Sequence, residues 1–130
     1  MPTEANIEAA RASYEAFAAG DMAHVMDAFS DDIEWVQPGH APVSGVHRGK
    51  AAVIALFATL LQKGLAVRPL AFFGDGERVV VVTNVTLAGE QADEVDLLTF
   101  RHGRVAHVQH IGDTMMLQRA FESSGASAER

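Results

Sequence analysis

"VDLLTFRHGRVAHVQHIGD", residues Val95 to Asp113, carries the alternation that decides the fold. Apolar and polar residues trade places on both sides of His102-Gly103, the pattern of two antiparallel strands joined by a tight turn. Successive side chains on a strand point to opposite faces. One face of the first strand is therefore Asp96, Leu98 and Phe100; the other is Val95, Leu97, Thr99 and Arg101. On the second strand Ala106, Val108, His110 and Gly112 oppose Val105, His107, Gln109 and Ile111. The first set of each strand makes an apolar surface with Asp96 and His110 at one end. The second sets suit an outer or subunit-facing side. His107 and His110 are thus split between faces.

Register decides which groups meet. A three-residue loop, His102 to Arg104, sets Asp96 across from His110. A two-residue His102-Gly103 turn sets Val95 there instead. The apolar pattern favours the first. Asp96 and His110 then form a carboxylate–imidazole pair, in which the carboxylate favours the charged ring and burial opposes it. That balance suits proton transfer near neutral pH.

Outward from the hairpin, "ERVVVVTNVTLAGE" and "LAVRPLAFFGDG" are two further strands with a Gly-Asp-Gly turn between them. Before them, "KAAVIALFATLLQKG" is a helix whose apolar side is Val53, Leu56, Phe57, Leu60 and Leu61. The loop "GHAPVSGVHRG", Gly39 to Gly49, carries His40 and His47. Upstream, "DDIEWVQPG" has period two, with Ile33, Trp35 and Gln37 on one face and a stop at Pro38-Gly39. The N-terminal region is helical. Thr3 caps a helix through Ala19, with Ile7, Ala10, Tyr14 and Phe17 on one side. Asp21 caps a shorter one, "MAHVMDAFS", with Met22, Val25, Met26 and Phe29 on its apolar side. "TMMLQRAF" closes the chain as a short helix before the tail "ESSGASAER". The order is α-α-β-α-β-β-β-β, then the closing helix. This is an α+β fold, a curved antiparallel sheet wrapped on N-terminal helices into a cone. A single domain is expected over residues 1–130, with its core at about residues 4–121 and a flexible tail over 122–130.

Composition narrows the function. The chain is 48% hydrophobic with a net charge of −7, which argues against disorder and against partners such as nucleic acid or an anionic membrane. It has no cysteine, no basic leader followed by an apolar run, and no 18-residue apolar stretch, so a cytoplasmic address is expected. No metal site is expected, since His107 and His110 diverge and no HExxH or cysteine set completes a shell. No nucleophile elbow, Walker loop or dinucleotide glycine pattern is present, and no cofactor is expected.

Five stretches read together, "YEAFAAGDMAHVMDAFSDDIEWVQPG", "SGVHRGKAAVIALF", "GDGERVVVV", "LLTFRHGRVAHVQHIGDT" and the closing helix, resemble the nuclear transport factor 2-like superfamily, especially its SnoaL-like and ketosteroid isomerase-like branches. The resemblance implies a cone (cystatin-like) with an apolar internal pocket, and a homodimer through the outer sheet face. Ketosteroid isomerase uses an aspartate base with a tyrosine and a protonated aspartate as oxyanion hole. Its base would stand immediately before Pro38, where this chain has Gln37, which takes no proton at neutral pH. Its tyrosine would fall near Ser13, and Tyr14 is turned from that position by about 100° around the helix. Its proton-holding aspartate falls on Asp96. The similarity to SnoaL-like cyclases carries their catalytic aspartate onto Asp113, also an ordinary helix cap.

The candidate catalytic residues are therefore His110, Asp96 and Asp113. Candidate ligand contacts are Tyr14, Phe17, Trp35, Gln37, Phe57, Leu61, Leu98 and Val108. The expected function is binding of a small hydrophobic molecule, with cofactor-free acid–base isomerisation, cyclisation or dehydration. The alternative is a non-catalytic ligand-binding or dimerisation module. Epoxide hydrolysis needs two inward acids and an arginine, and Arg101 has the wrong parity.

Overall fold

A computed structural model describes residues 2–128, with side chains through Glu122. The elements are α1 (Pro2–Ala18), α2 (Met22–Asp27), β1 (Phe29–Gln37), β2 (Gly45–Arg48), α3 (Lys50–Gln62), β3 (Ala66–Asp75), β4 (Arg78–Leu87), β5 (Glu90–Arg101), β6 (Arg104–Ile111) and α4 (Thr114–Ala128). The fold is α+β, as expected. The strands form one curved, unclosed sheet in the order β2-β1-β6-β5-β4-β3. All neighbours are antiparallel except β1 and β6, which run parallel.

Period-two burial is strict on β4 and β5. On β4, Val79, Val81, Thr83, Val85 and Leu87 face inward, and on β5 Glu94, Asp96, Leu98 and Phe100 do. Those inner rows meet Ile33, Val53, Leu56 and Phe57 from the other elements in one core, where removal of apolar area from water supplies the main drive for folding. Helix α1 packs on β3 where Gly74 leaves room. A Cβ there would come within 2.9 Å of Ile7 Cδ1 and Thr3 Cγ2. The β3–β4 turn also clasps α1, since Asn6 Nδ2 donates to the Gly76 carbonyl (3.2 Å) and Gly76 N–H donates to Thr3 Oγ1 (2.9 Å).

Several local expectations change. Thr3 lies inside α1, which starts at Pro2, and its hydroxyl serves the Gly76 turn rather than capping the helix. Asp21 does cap α2, accepting from His24 N–H. Phe29 is not on the apolar side of α2 but opens β1, buried at the sheet edge of the core. Part of the Gly39–Gly49 loop is a strand, β2, paired antiparallel with β1 through Trp35–His47 and Val36–Val46. Four mostly exposed residues with glycine at their first position carry too weak an alternation to mark it. His47 belongs to this strand, and its Nε2 lies 2.7 Å from the Val43 carbonyl. Helix α4 extends past Phe121 to Ala128, and the side chains of 123–130, where a tail was expected, lie outside the described residues.

The β5–β6 hairpin resolves its register in an unforeseen way. The turn is the two-residue one: Arg101 pairs with Arg104, and His102 and Gly103 both have positive φ (54° and 77°), the signature of a type I′ turn. Yet Asp96 still pairs with His110. Phe100 faces Val105 while Thr99 faces His107, so Ala106 is an extra residue, a β-bulge that shifts the ladder by one. The bulge also leaves two consecutive residues, Val105 and Ala106, buried. Val105, expected outside, is a core residue at 1% exposed.

Candidate functional site

The concave face of the sheet and helices α1, α3 and α4 enclose a cavity of about 100 Å³. Tyr14 and Phe17 reach it from α1, Trp35 and Gln37 from β1, Phe57 from α3, Leu98 from β5 and Val108 from β6. Trp35 and Phe17 each set an edge-to-face contact against Phe57, with ring centres 5.1 and 5.3 Å apart. Edge-to-face contacts of this kind join the three rings into one apolar wall. Leu61 is the exception among the expected contacts. It is 43% exposed, and Leu60 lines the cavity in its place. At about 100° per residue, Val53, Leu56, Phe57 and Leu60 share one stripe, and Leu61 falls about a quarter-turn off its centre.

One end of the cavity is polar. His110 on β6 stands beside Asp96 on β5, its Nδ1 2.6 Å from Asp96 Oδ1. Its other nitrogen, Nε2, is 2.7 Å from Glu94 Oε1. Tyr14, on α1, donates its hydroxyl proton to Asp96 Oδ2. Glu94 Oε2 accepts the backbone N–H of Asp113 at 2.8 Å. Four side chains from three elements therefore form one line: Tyr14, Asp96, His110, Glu94. Glu94 and Asp96 are 6% and 5% exposed.

The geometry assigns the protons. Both ring nitrogens of His110 face carboxylate oxygens, and a neutral imidazole would turn a lone pair toward one of them. The doubly protonated ring donates on both sides. Burial by itself pushes the pKa of His110 down, but hydrogen bonds and charge from Asp96 and Glu94 outweigh it and raise the value to about 10. The expected titration near neutral pH is thus replaced by a ring that stays charged there, because a second carboxylate joins the first. Neither nitrogen keeps a free lone pair for a metal. The Tyr14 hydroxyl is held in its protonated form by burial first, then by the charge of Asp96 and their hydrogen bond.

Glu94 is the site residue that sequence reasoning missed. It lies on the Asp96–Leu98–Phe100 face, two residues further back, so the same parity would have found it. Its position also depends on Gly112. A Cβ there would lie 2.4 Å from the Glu94 carboxyl carbon, so only glycine lets that carboxylate reach between His110 and the start of α4. Asp113 lines the cavity, while its Oδ1 accepts from Met116 N–H at 2.9 Å and caps α4.

Tyr14 points inward and reaches Asp96, and its neighbour Ser13 also borders the cavity. Gln37, 6% exposed, accepts a hydrogen bond on its Oε1 from Trp35 Nε1–H at 3.0 Å. His107 is on the outer face, paired with Thr99, as parity implied. Arg101 is outside too, bonded to Asp32. Among the described residues no helix is long and apolar enough to cross a membrane.

Residues 10–108, more than half of the chain, match the model of the SnoaL-like domain. An uncharacterised protein of Mycobacterium tuberculosis, Rv0034, is 36% identical over 55 residues, and the match spans 42% of this chain and 42% of that protein, less than half of either. Among solved structures, TerC, co-crystallized with polyporic acid, is 31% identical, with 91% of this chain and 98% of that one covered at a TM-score of 0.77. An NTF2-like protein from Burkholderia xenovorans LB400 is 29% identical, with 92% and 98% covered at a TM-score of 0.76.

Proposed function

As the chain belongs to the SnoaL-like domain family, we propose that it binds a small, largely apolar molecule in the cavity and moves a proton on it without a cofactor, as an isomerase, cyclase or dehydratase. The observation that carries this reading is the buried Tyr14–Asp96–His110–Glu94 line opening onto an apolar cavity. Buried ionisable groups beside a pocket are a feature of acid–base sites. Asp96 is the group that takes a proton from the ligand. The imidazolium of His110 and the hydroxyl of Tyr14 offset the charge on Asp96, and Glu94 keeps His110 charged. The likeness to TerC supports an organic ligand of this kind. Asp113 has the role of helix cap in this reading, not of catalyst.

The test does not require the natural substrate. Ring-bearing ketones and quinones are screened by fluorescence of Trp35, the only tryptophan of the chain and a cavity residue. Binders are then followed by NMR in deuterated water for exchange of their acidic hydrogens. The expected result is protein-catalysed exchange that Asp96→Asn reduces at least tenfold. Binding without exchange leaves the second reading, a non-catalytic binding module. That reading has its own support: each carboxylate oxygen of Asp96 and Glu94 already holds a protein partner.

The proposal includes a second copy of the chain on the outer sheet face. Val46, Val36, Gln109, Leu97, Val80 and Phe73 line up in register across all six strands. Val46 and Phe73 are 47% and 61% exposed. Such a row is an unusual surface for a lone domain. Sedimentation should give a dimer that Leu97→Lys dissociates; a wild-type monomer at micromolar concentration would remove this part.

A further inference from the structure

We infer that Gln37 is a specificity-determining residue that selects ligands carrying a carbonyl oxygen; this rests on the cavity being a binding site. A side-chain amide normally has two orientations, chosen by its partners. Here Trp35 makes the choice. Its Nε1–H is a donor only, and it points at Gln37 Oε1 from 3.0 Å. The amide oxygen must therefore face the indole, which leaves the NH2 group on the other side. Nε2 has no hydrogen-bond partner among the described residues, although Gln37 is 6% exposed and borders the cavity. Nor is it sealed in the interior: among the described residues only Ser30 Oγ is both fully buried and without a partner. The NH2 group thus opens onto the cavity with two unused N–H bonds.

The ionised end of the cavity offers no competing donor. Gln37 sits on β1, next to the His110 strand, yet both His110 nitrogens are committed to carboxylates. The Tyr14 proton is committed to Asp96. Gln37 is accordingly the cavity's free neutral donor among these groups. A ligand acceptor that reaches it gains a bond, while a hydrocarbon leaves a buried donor unpaired, the asymmetry that lets polar groups discriminate. A fixed N–H donor suits a carbonyl oxygen, an acceptor that brings no proton of its own.

The probes are 1-tetralone and tetralin, which share a skeleton and differ in one carbonyl. Trp35 fluorescence gives both affinities, and isotope-edited infrared spectroscopy gives the carbonyl stretch of bound 13C=O tetralone. In Gln37→Leu the ratio of ketone to hydrocarbon affinity should fall about tenfold, the worth of one hydrogen bond. Gln37→Glu keeps an oxygen for Trp35 but replaces the NH2 group by a second oxygen. It should lose the ketone and the red-shifted stretch while keeping tetralin, which shows that the cavity is still intact. An unchanged ratio in both variants, or a bound stretch at the same frequency in wild type and Gln37→Glu, overturns the assignment of Gln37. A wild-type protein that binds neither compound overturns the cavity reading together with it.

Discussion

Strands β2, β1, β6 and β5 carry cations beside carboxylates on both faces, and the two faces treat them differently. Inside, His110 lies between Glu94 and Asp96 with 13% of its side chain exposed. Outside, Arg101 meets Asp32 and Arg48 meets Glu34 with roughly half or more of each arginine in water. Contact distances are alike, between 2.6 and 2.9 Å in all four pairs. What differs is the medium. Water screens the outer pairs until little attraction is left, whereas the inner groups have only one another to replace lost hydration. One step of strand parity separates a surface decoration from a site.

The sharpest way to break this contrast is Asp96→Ala. It leaves Tyr14 and one face of the imidazolium without a partner in the interior. A loss of about 3–5 kcal/mol in urea unfolding is expected, as for other broken buried ion pairs. A loss no greater than that of an outer pair would show that the inner line is not truly sheltered.

The pH dependence comes next. The folded pKa of His110 is about 10 against an ordinary 6.5. A raised value means that the folded state binds the proton more tightly. Its contribution is therefore complete below the unfolded value and drains away as pH rises toward the folded one. Stability should decline between neutral pH and about pH 10, and His110→Gln should flatten that slope. A wild-type curve level over this window would contradict the charged ring, as would an imidazole NMR titration near its ordinary value.

Gly112→Ala should have a smaller effect, about 1–3 kcal/mol, because it displaces the Glu94 carboxylate rather than deleting it. The informative readout is the His110 titration, which should move down toward the ordinary range when one of two carboxylates withdraws. Smallest of all, Arg101→Ala and Arg48→Ala should leave the urea midpoint within experimental error. A clear shift there would mean that the outer face is covered, as in the proposed dimer.

The elements that the chain displays most openly are those with long, regular periods. The valine run of β4, the alternation of β5 and β6 and the apolar stripe of α3 were all legible, whereas α1 buries Asn6 and Ser13 beside Ala10 and leaves Ile7, Tyr14 and Phe17 half-buried. The Asp96–His110 pair was legible for the same reason, although by a different route from the one expected. The turn chosen by His102-Gly103 would have separated the pair, and the bulge at Ala106 restores it. A bulge adds a single residue and leaves no distinct mark in an eight-residue strand. β2 was missed because its pairing partner, not its own composition, makes it a strand. Leu61 was misplaced because two adjacent leucines share a helix edge, and packing decides which one is covered.

The family resemblance placed Asp96 and Asp113 on one footing, and the structure separates them. Asp113 directs an oxygen to Met116 N–H at the start of α4, while its own backbone N–H serves Glu94. The second carboxylate on His110 is therefore Glu94, whose approach depends on a glycine eighteen residues away in sequence. Likewise, the Gln37 amide is oriented by Trp35 and emptied of partners on its other side.

By itself the sequence determined the fold class, the strand parity away from the bulge at Ala106, and the inward placement of Asp96, His110, Trp35 and Gln37. These follow from periods of two and of about 3.6, which are local properties of backbone geometry. Tertiary structure alone decided the charge of His110, the part of Glu94, the free donors of Gln37 and the loss of Leu61 from the wall. Each depends on what lies across a strand, under a helix or outside the reach of water, and electrostatics in the interior is set by those neighbours rather than by position along the chain.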